Sequence, residues 1–236
     1  MTRRRRDSRP GPLTPPCGDA RDPSSVTGTR PGTEDSRRRI LLSAIREFAE
    51  SGYTKASTNA IVRDACTSKG LLFHYYGSKK DLYLAALEYS VEFLVDYFLK
   101  NLGRLPKDPV DRFVAWANLK VRMLAEEPLI YKITVGGIME APEEIRPELQ
   151  AMVNRVGERL MPVFLRGIDF SGLRKGIDRA KAVQYILLVF GALGERYLEV
   201  AMNSPDKGPS GLPSAMVEIE EYADFLKHGL YRNPPE

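Results

Sequence analysis

Ser57-Thr-Asn-Ala-Ile-Val-Arg-Asp-Ala-Cys-Thr-Ser-Lys-Gly-Leu-Leu-Phe-His-Tyr-Tyr76 holds two serine-headed segments separated by a tight turn. Serine and threonine side chains accept hydrogen bonds from the free N–H groups of a helix's first turn, so Ser57 or Thr58 opens one helix and Ser68 the next. In the first segment Ile61, Val62 and Ala65 face inward. The turn falls at Cys66–Thr67, and Gly77 breaks the second segment after Tyr76. Two short helices in this order read as a helix-turn-helix, whose second helix enters the major groove of DNA. Leu72 and Tyr76, four residues apart, share an inner face with Phe48 and Ile61. Lys69, Leu71, Phe73, His74 and Tyr75 are left for the outer faces. That set is unusual for a solvated helix and suits a groove, where apolar groups touch thymine methyls and polar tips reach base edges. Gly70 lets the backbone come close to DNA. The hydroxyls and N–H groups at the two helix starts, Ser57, Thr58 and Ser68, offer docking points for phosphates.

Working outward, Ile40, Leu41, Ala44, Ile45, Phe48 and Ala49 recur at spacings of three and four and form one apolar stripe. Thr33 or Asp35 caps that helix, and Gly52 ends it. Ser78 caps a further helix from about Lys79 to Asn101. Residues 36–80 carry nine Lys+Arg against three Asp+Glu, whereas residues 81–236 carry nineteen against twenty-three. A basic module therefore precedes a mildly acidic body, which points to a polyanion partner for the module alone. Residues 1–33 are dense in Pro, Gly, Ser, Thr and Arg and read as a disordered basic tail. Beyond Gly103 the periodicity predicts helices near 108–127, 128–139, 143–167, 178–203 and 213–230, with Pro162 kinking the third of these. The expected class is all-α: a tail over 1–33, a three-helix helix-turn-helix domain over 34–80, and a helical body over 81–232.

The run Lys69-Gly-Leu-Leu-Phe-His-Tyr-Tyr-Gly-Ser-Lys-Lys-Asp-Leu82 resembles the signature of the TetR family of bacterial transcription regulators. The resemblance begins with the helix Ile40–Tyr53 and runs to about Leu87. It implies that Thr58 contacts a phosphate with Ser57 as its cap, and that Lys69 and Gly70 meet DNA at the start of the recognition helix. Leu71, Phe73 and His74 would face bases or the groove wall. Tyr75 stands where the family usually has a phosphate-contacting histidine, and Lys79 would hold a phosphate. Cys66 departs from the family's usual glycine in the turn. A side chain in left-handed backbone costs about 1–2 kcal/mol. The resemblance also implies a dimer whose paired recognition helices read a palindromic operator, and a small ligand that shifts the helix beginning at Lys79. A repressor released by a mostly apolar effector is the expected function. A dimeric DNA-binding protein with no small-molecule effector is the alternative.

The segment near 178–203 is apolar nearly all round, so it needs its own core on one side and a second partner on the other. Gly191 and Gly194 allow a close approach by another helix. Ile186, Phe190, Gly191 and Gly194, with Tyr222 and Phe225 from the last helix, are the candidate homodimer interface. Trp116, Met123, Tyr131, Met139, Met152, Phe164 and Tyr185 are the candidate lining of an apolar pocket. The chain's two histidines, His74 and His228, lie far apart. There is no nucleophile elbow, phosphate loop or metal-ligand cluster, so neither an enzyme nor a cofactor or metal is expected. The two cysteines, Cys17 and Cys66, form no disulfide framework. No apolar run approaches the length of a membrane span. A cytoplasmic location follows.

Overall fold

The computed structural model describes residues 33–139, 142–203 and 212–232, and the chain divides into two units, Met1–Leu87 and Glu88–Glu236. The arginine-rich tail of the sequence reading lies almost wholly outside the described residues. Among the described residues the regular structure is helical, with one isolated antiparallel bridge between Leu173 and Tyr231.

The first unit holds α1 (Thr33–Lys55), α2 (Thr58–Asp64), α3 (Lys69–Tyr76) and the start of α4 (Lys79–Asn101). The predicted stripe of α1 is its buried face: Ile40, Ala44 and Ile45 are fully buried and Phe48 nearly so. Gly52, at φ 67° and ψ 170°, interrupts the regular helix where its end was expected, and a further turn continues to Lys55. The division falls after Leu87 rather than at the Lys80 boundary read from the sequence. The reason is packing: Leu82, Tyr83, Ala86 and Leu87 are buried, and Tyr83 lies edge-on to Phe48 with centroids 4.8 Å apart.

The second unit contains the rest of α4, then α5 (Pro109–Glu126), α6 (Pro128–Met139), a 3-10 turn at Glu143–Ile145, α7 (Arg146–Leu165), α8 (Arg179–Asn203) and α9 (Leu212–Leu230). Helix α5 packs against α6, α8 and α9. Its start is set by Asp108, which accepts the Asp111 N–H at 2.9 Å, and by Pro109, whose missing N–H is no loss in a first turn. Phe113 and Trp116 both meet Phe164 of α7 edge to face, at 4.8 and 5.0 Å, and Trp116 also meets Phe98 of α4 at 4.6 Å. Arg112, 2% exposed, reaches through this core. It donates to the carbonyls of Pro106 (2.6 Å), Phe164 (2.7 Å) and Arg166 (2.7 Å), closing the open C-terminal end of α7. On the surface Arg155 and Arg159 of α7 pair with Glu88 and Glu92 of α4 at 2.7 and 2.6 Å. Helix α7 continues through Pro162 and stops at Leu165, one turn later.

Two groups of sequence-chosen residues are placed differently from expectation. Of the interface candidates, Ile186 and Phe190 are buried with Phe113, Ala182, Leu193 and Ile219 in this unit's own core. The apolar outer face is instead Tyr185, Leu187 and Leu188 on α8 with Met216, Val217, Tyr222 and Phe225 on α9, and Phe225 is 70% exposed. Of the pocket candidates, Trp116 and Phe164 are packed ring against ring, and Met123, Tyr131 and Met152 are buried. Tyr185 is 43% exposed and points away from the core, and the side chain of Met139 lies outside the described residues. Two clefts open on the described surface. One, of about 440 Å³, includes Ser43, Arg46 and Asp64 in its lining; the other, of about 680 Å³, includes Lys107, Asp111 and Lys227. None of the pocket candidates lines either.

Replacing the Arg112 guanidinium by an apolar side chain strands buried carbonyls, whereas removing Arg155 costs only an exposed ion pair. Urea denaturation is expected to find Arg112→Met destabilised by about 2–4 kcal/mol and Arg155→Ala by less than about 1 kcal/mol.

Candidate nucleic-acid interface

An eight-residue helix is not stable alone, so α3 depends on what holds it. Leu72 is fully buried and Tyr76 is 8% exposed. The Tyr76 hydroxyl donates to the Arg37 carbonyl of α1 at 3.0 Å, fixing the end of α3 to the first helix. Burial pushes the Tyr76 pKa up, so this phenol keeps its proton and stays a donor. Helix α2 is held in turn by Arg46 of α1, which donates to both carboxylate oxygens of Asp64 at 3.1 and 2.9 Å. Such a bidentate pair fixes orientation as well as distance.

Both helix starts are capped as their serines predicted. Ser57 Oγ accepts from Ala60 N at 3.4 Å, and Ser68 Oγ accepts from Leu71 N at 3.2 Å. Glu47 adds a contact with no sequence signal, accepting the Ser57 N–H at 2.8 Å across ten residues of chain. Between the helices Cys66 takes φ 49°, the one non-glycine residue at positive φ among those described. The left-handed turn required by the sequence reading is thus present without a glycine. The other cysteine, Cys17, lies outside the described residues.

The outer side of α3 carries exposed Lys69, Gly70 and His74, with Leu71, Phe73 and Tyr75 half-buried beside them. Lys69 Nζ stands 6.0 Å from the Phe73 ring centroid, and the His74 and Tyr75 rings are 5.4 Å apart. Ser57 and Ser68 are exposed and Thr58 is half-buried at the first position of α2. Lys79 is more constrained than expected. Its ammonium donates to the Thr54 carbonyl at 3.1 Å and lies 5.2 Å from the Tyr53 ring, stapling α4 to the end of α1. Gly70 is informative for the opposite reason. A Cβ there would meet nothing nearer than Ser68 Oγ at 3.9 Å, so nothing within the chain requires glycine.

Residues 40–86 match the family model described as bacterial regulatory proteins, tetR family. The uncharacterised HTH-type transcriptional regulator YxaF of Bacillus subtilis is 24% identical over 186 residues, covering 78% of this chain and 94% of that protein. The HTH-type transcriptional repressor AcnR of Corynebacterium efficiens is 40% identical over 62 residues, covering 26% of this chain and 32% of the relative. A solved TetR regulator from Chloroflexus aurantiacus superimposes with a TM-score of 0.58 at 20% identity, covering 80% of this chain and 94% of that one. Residues 40–86 thus carry a DNA-binding domain of the TetR family. The chain is accordingly a DNA-binding transcription regulator and not an enzyme, and the TetR-type fold extends through the second unit.

Gly70 separates stability from binding. Gly70→Ala is expected to raise or hold the unfolding free energy, by at most about 1 kcal/mol. The same change is expected to weaken operator binding in fluorescence anisotropy, because the methyl occupies space left for an approaching backbone or base.

Proposed function

We propose that this regulator binds a palindromic operator as a homodimer, inserting α3 of each copy into successive major grooves. Carrying the reading is the division of α3: Leu72 and Tyr76 hold it down, while Lys69, Gly70, Leu71, Phe73, His74 and Tyr75 make up its free side. Lys69, Gly70, Leu71, Phe73 and His74 read the groove. Ser57, Thr58, Ser68 and Tyr75 take phosphates, and Lys79 adds a cation at the edge of the site while bracing Thr54. The apolar face of Tyr185, Leu187, Leu188, Met216, Val217, Tyr222 and Phe225 supports the dimer. Contiguous exposed apolar surface of this kind marks an interaction site, and α8 packs beside α9 to make it continuous. Gly191 and Gly194 lie along the same helix and permit close approach.

The second unit receives a small, mostly apolar effector that releases the DNA, so the protein acts as a cytoplasmic repressor. The relative AcnR, a named repressor, supports that direction of control. No described helix is long and apolar enough to cross a membrane, which is consistent with a cytoplasmic site of action. The packed Trp116–Phe164 pair favours the second reading, a dimeric DNA-binding protein with no effector. Thermal-shift screening with apolar metabolites separates the two.

The decisive measurement is a gel shift on the DNA upstream of the protein's own gene. Lys69→Ala with His74→Ala is expected to abolish sequence-specific binding, and binding that survives the double change refutes the assignment of α3. By sedimentation, the wild-type chain is expected to run as a dimer of the 26.5 kDa protomer and Phe225→Glu as a monomer.

A further inference from the structure

Arginine and lysine are not used evenly along this chain. Residues 1–39 contain ten arginines and no lysine, whereas residues 40–236 contain thirteen arginines and twelve lysines. Five carboxylates accompany the ten, namely Asp7, Asp19, Asp22, Glu34 and Asp35, so the segment stays basic. A requirement for positive charge alone is met equally by lysine. Exclusive use of arginine points to a requirement for the guanidinium, which is planar, weakly hydrated and able to hold a phosphate with two donors.

The described end of this segment fixes where it arrives. The first turns of α1 lie against the C-terminal end of α3. There the Tyr76 hydroxyl donates to the Arg37 carbonyl at 3.0 Å, and the Arg37 guanidinium stands 5.9 Å from the centre of the Tyr76 ring. Arg37 and Arg38 are exposed at this corner, while Arg39 turns back onto Asp35 at 2.9 Å. Tyr75, the residue of α3 assigned to a phosphate, adjoins Tyr76 in the chain, so the two exposed arginines stand at the same edge of the DNA-reading surface. A major groove is bounded on each side by a phosphate backbone, and beyond that backbone the minor groove opens. At about 3.3 Å per residue, roughly six residues of chain suffice to cross one backbone. Thirty-two precede α1.

We propose that Arg37 and Arg38 hold the phosphate backbone at the end of α3, and that the arginines preceding them enter the minor groove beyond it. The inference rests on the reading that α3 occupies a major groove, and it adds a second contact to the same duplex. A narrow minor groove concentrates negative potential and favours inserted arginine. Groove width is read there in place of base edges, so the segment adds affinity without altering which bases α3 selects.

The full chain is footprinted with hydroxyl radicals, which cut sugars facing the minor groove, on the DNA upstream of its own gene. Affinity is followed by anisotropy as salt is raised. Wild type is expected to protect a minor-groove stretch beside each site of α3. Arg3→Gln, Arg4→Gln, Arg5→Gln and Arg6→Gln together are expected to remove that stretch, to leave the α3 footprint in place and to weaken binding at least about tenfold at low salt. The slope of log K against log salt is expected to fall by about 2 or more, since each phosphate contact contributes about 0.9 and the dimer loses at least one per copy. Lysine at the same four positions is expected to keep the slope and lose the minor-groove protection. Arg38→Gln is expected to lower the slope in the same way, with the melting temperature of every variant matching that of the wild type. A slope and footprint that survive the four-glutamine change overturn the inference. So does a wild-type footprint with no minor-groove stretch, even where the slope falls. A wild type that protects no site at all overturns the operator reading and this inference together.

Discussion

The hold of α1 on α3 is the constraint from which the DNA-reading surface follows. Eight residues cannot sustain a helix in water, so the recognition helix exists only while Leu72 and Tyr76 are seated in the core and the Tyr76 hydroxyl meets the Arg37 carbonyl. Because two side chains anchor it, the remaining ones are free of structural duty. Lys69 and His74 remain exposed, and Gly70 has open space where a side chain would stand. The same economy governs the turn before it. Ser68 caps the helix at the point where Cys66, in left-handed backbone, has reversed the chain, so strain is confined to a residue outside the helix itself.

In the second unit the corresponding role belongs to α5. Its aromatic side chains bring α4, α7 and α8 together, while Arg112 spans the core to reach three carbonyls around the end of α7. A buried arginine is tolerated there because its Nε and Nη1 donors meet three carbonyls and the charge itself is spread over the planar group.

The residues misread from sequence share one cause. Ile186 and Phe190 were grouped with the interface, and Tyr185 with the pocket, because a helix that is apolar all round carries no contrast from which to tell its two sides apart. The structure reverses them: Ile186 and Phe190 pack inward, and Tyr185, Leu187 and Leu188 face out. Trp116 and Phe164 had the composition of pocket residues and are core, since each ring is the other's partner.

Local rules decided a great deal by themselves. The capping serines Ser57 and Ser68, the stripe from Ile40 to Phe48, the left-handed turn at Cys66 and the inner pair Leu72 and Tyr76 depend on neighbours within a few residues, and helix periodicity expresses them directly in the sequence. Contacts between distant segments carry no such period. Glu47 on the Ser57 N–H, Arg46 on Asp64, Lys79 on Thr54 and Arg112 on the end of α7 bring together residues that only the packing of whole helices makes neighbours. The sequence thus determined the helices and the outward side of the recognition helix. The tertiary structure decided which side of α8 is core and which aromatics fill space, because burial is a property of the assembled helices and not of any one of them.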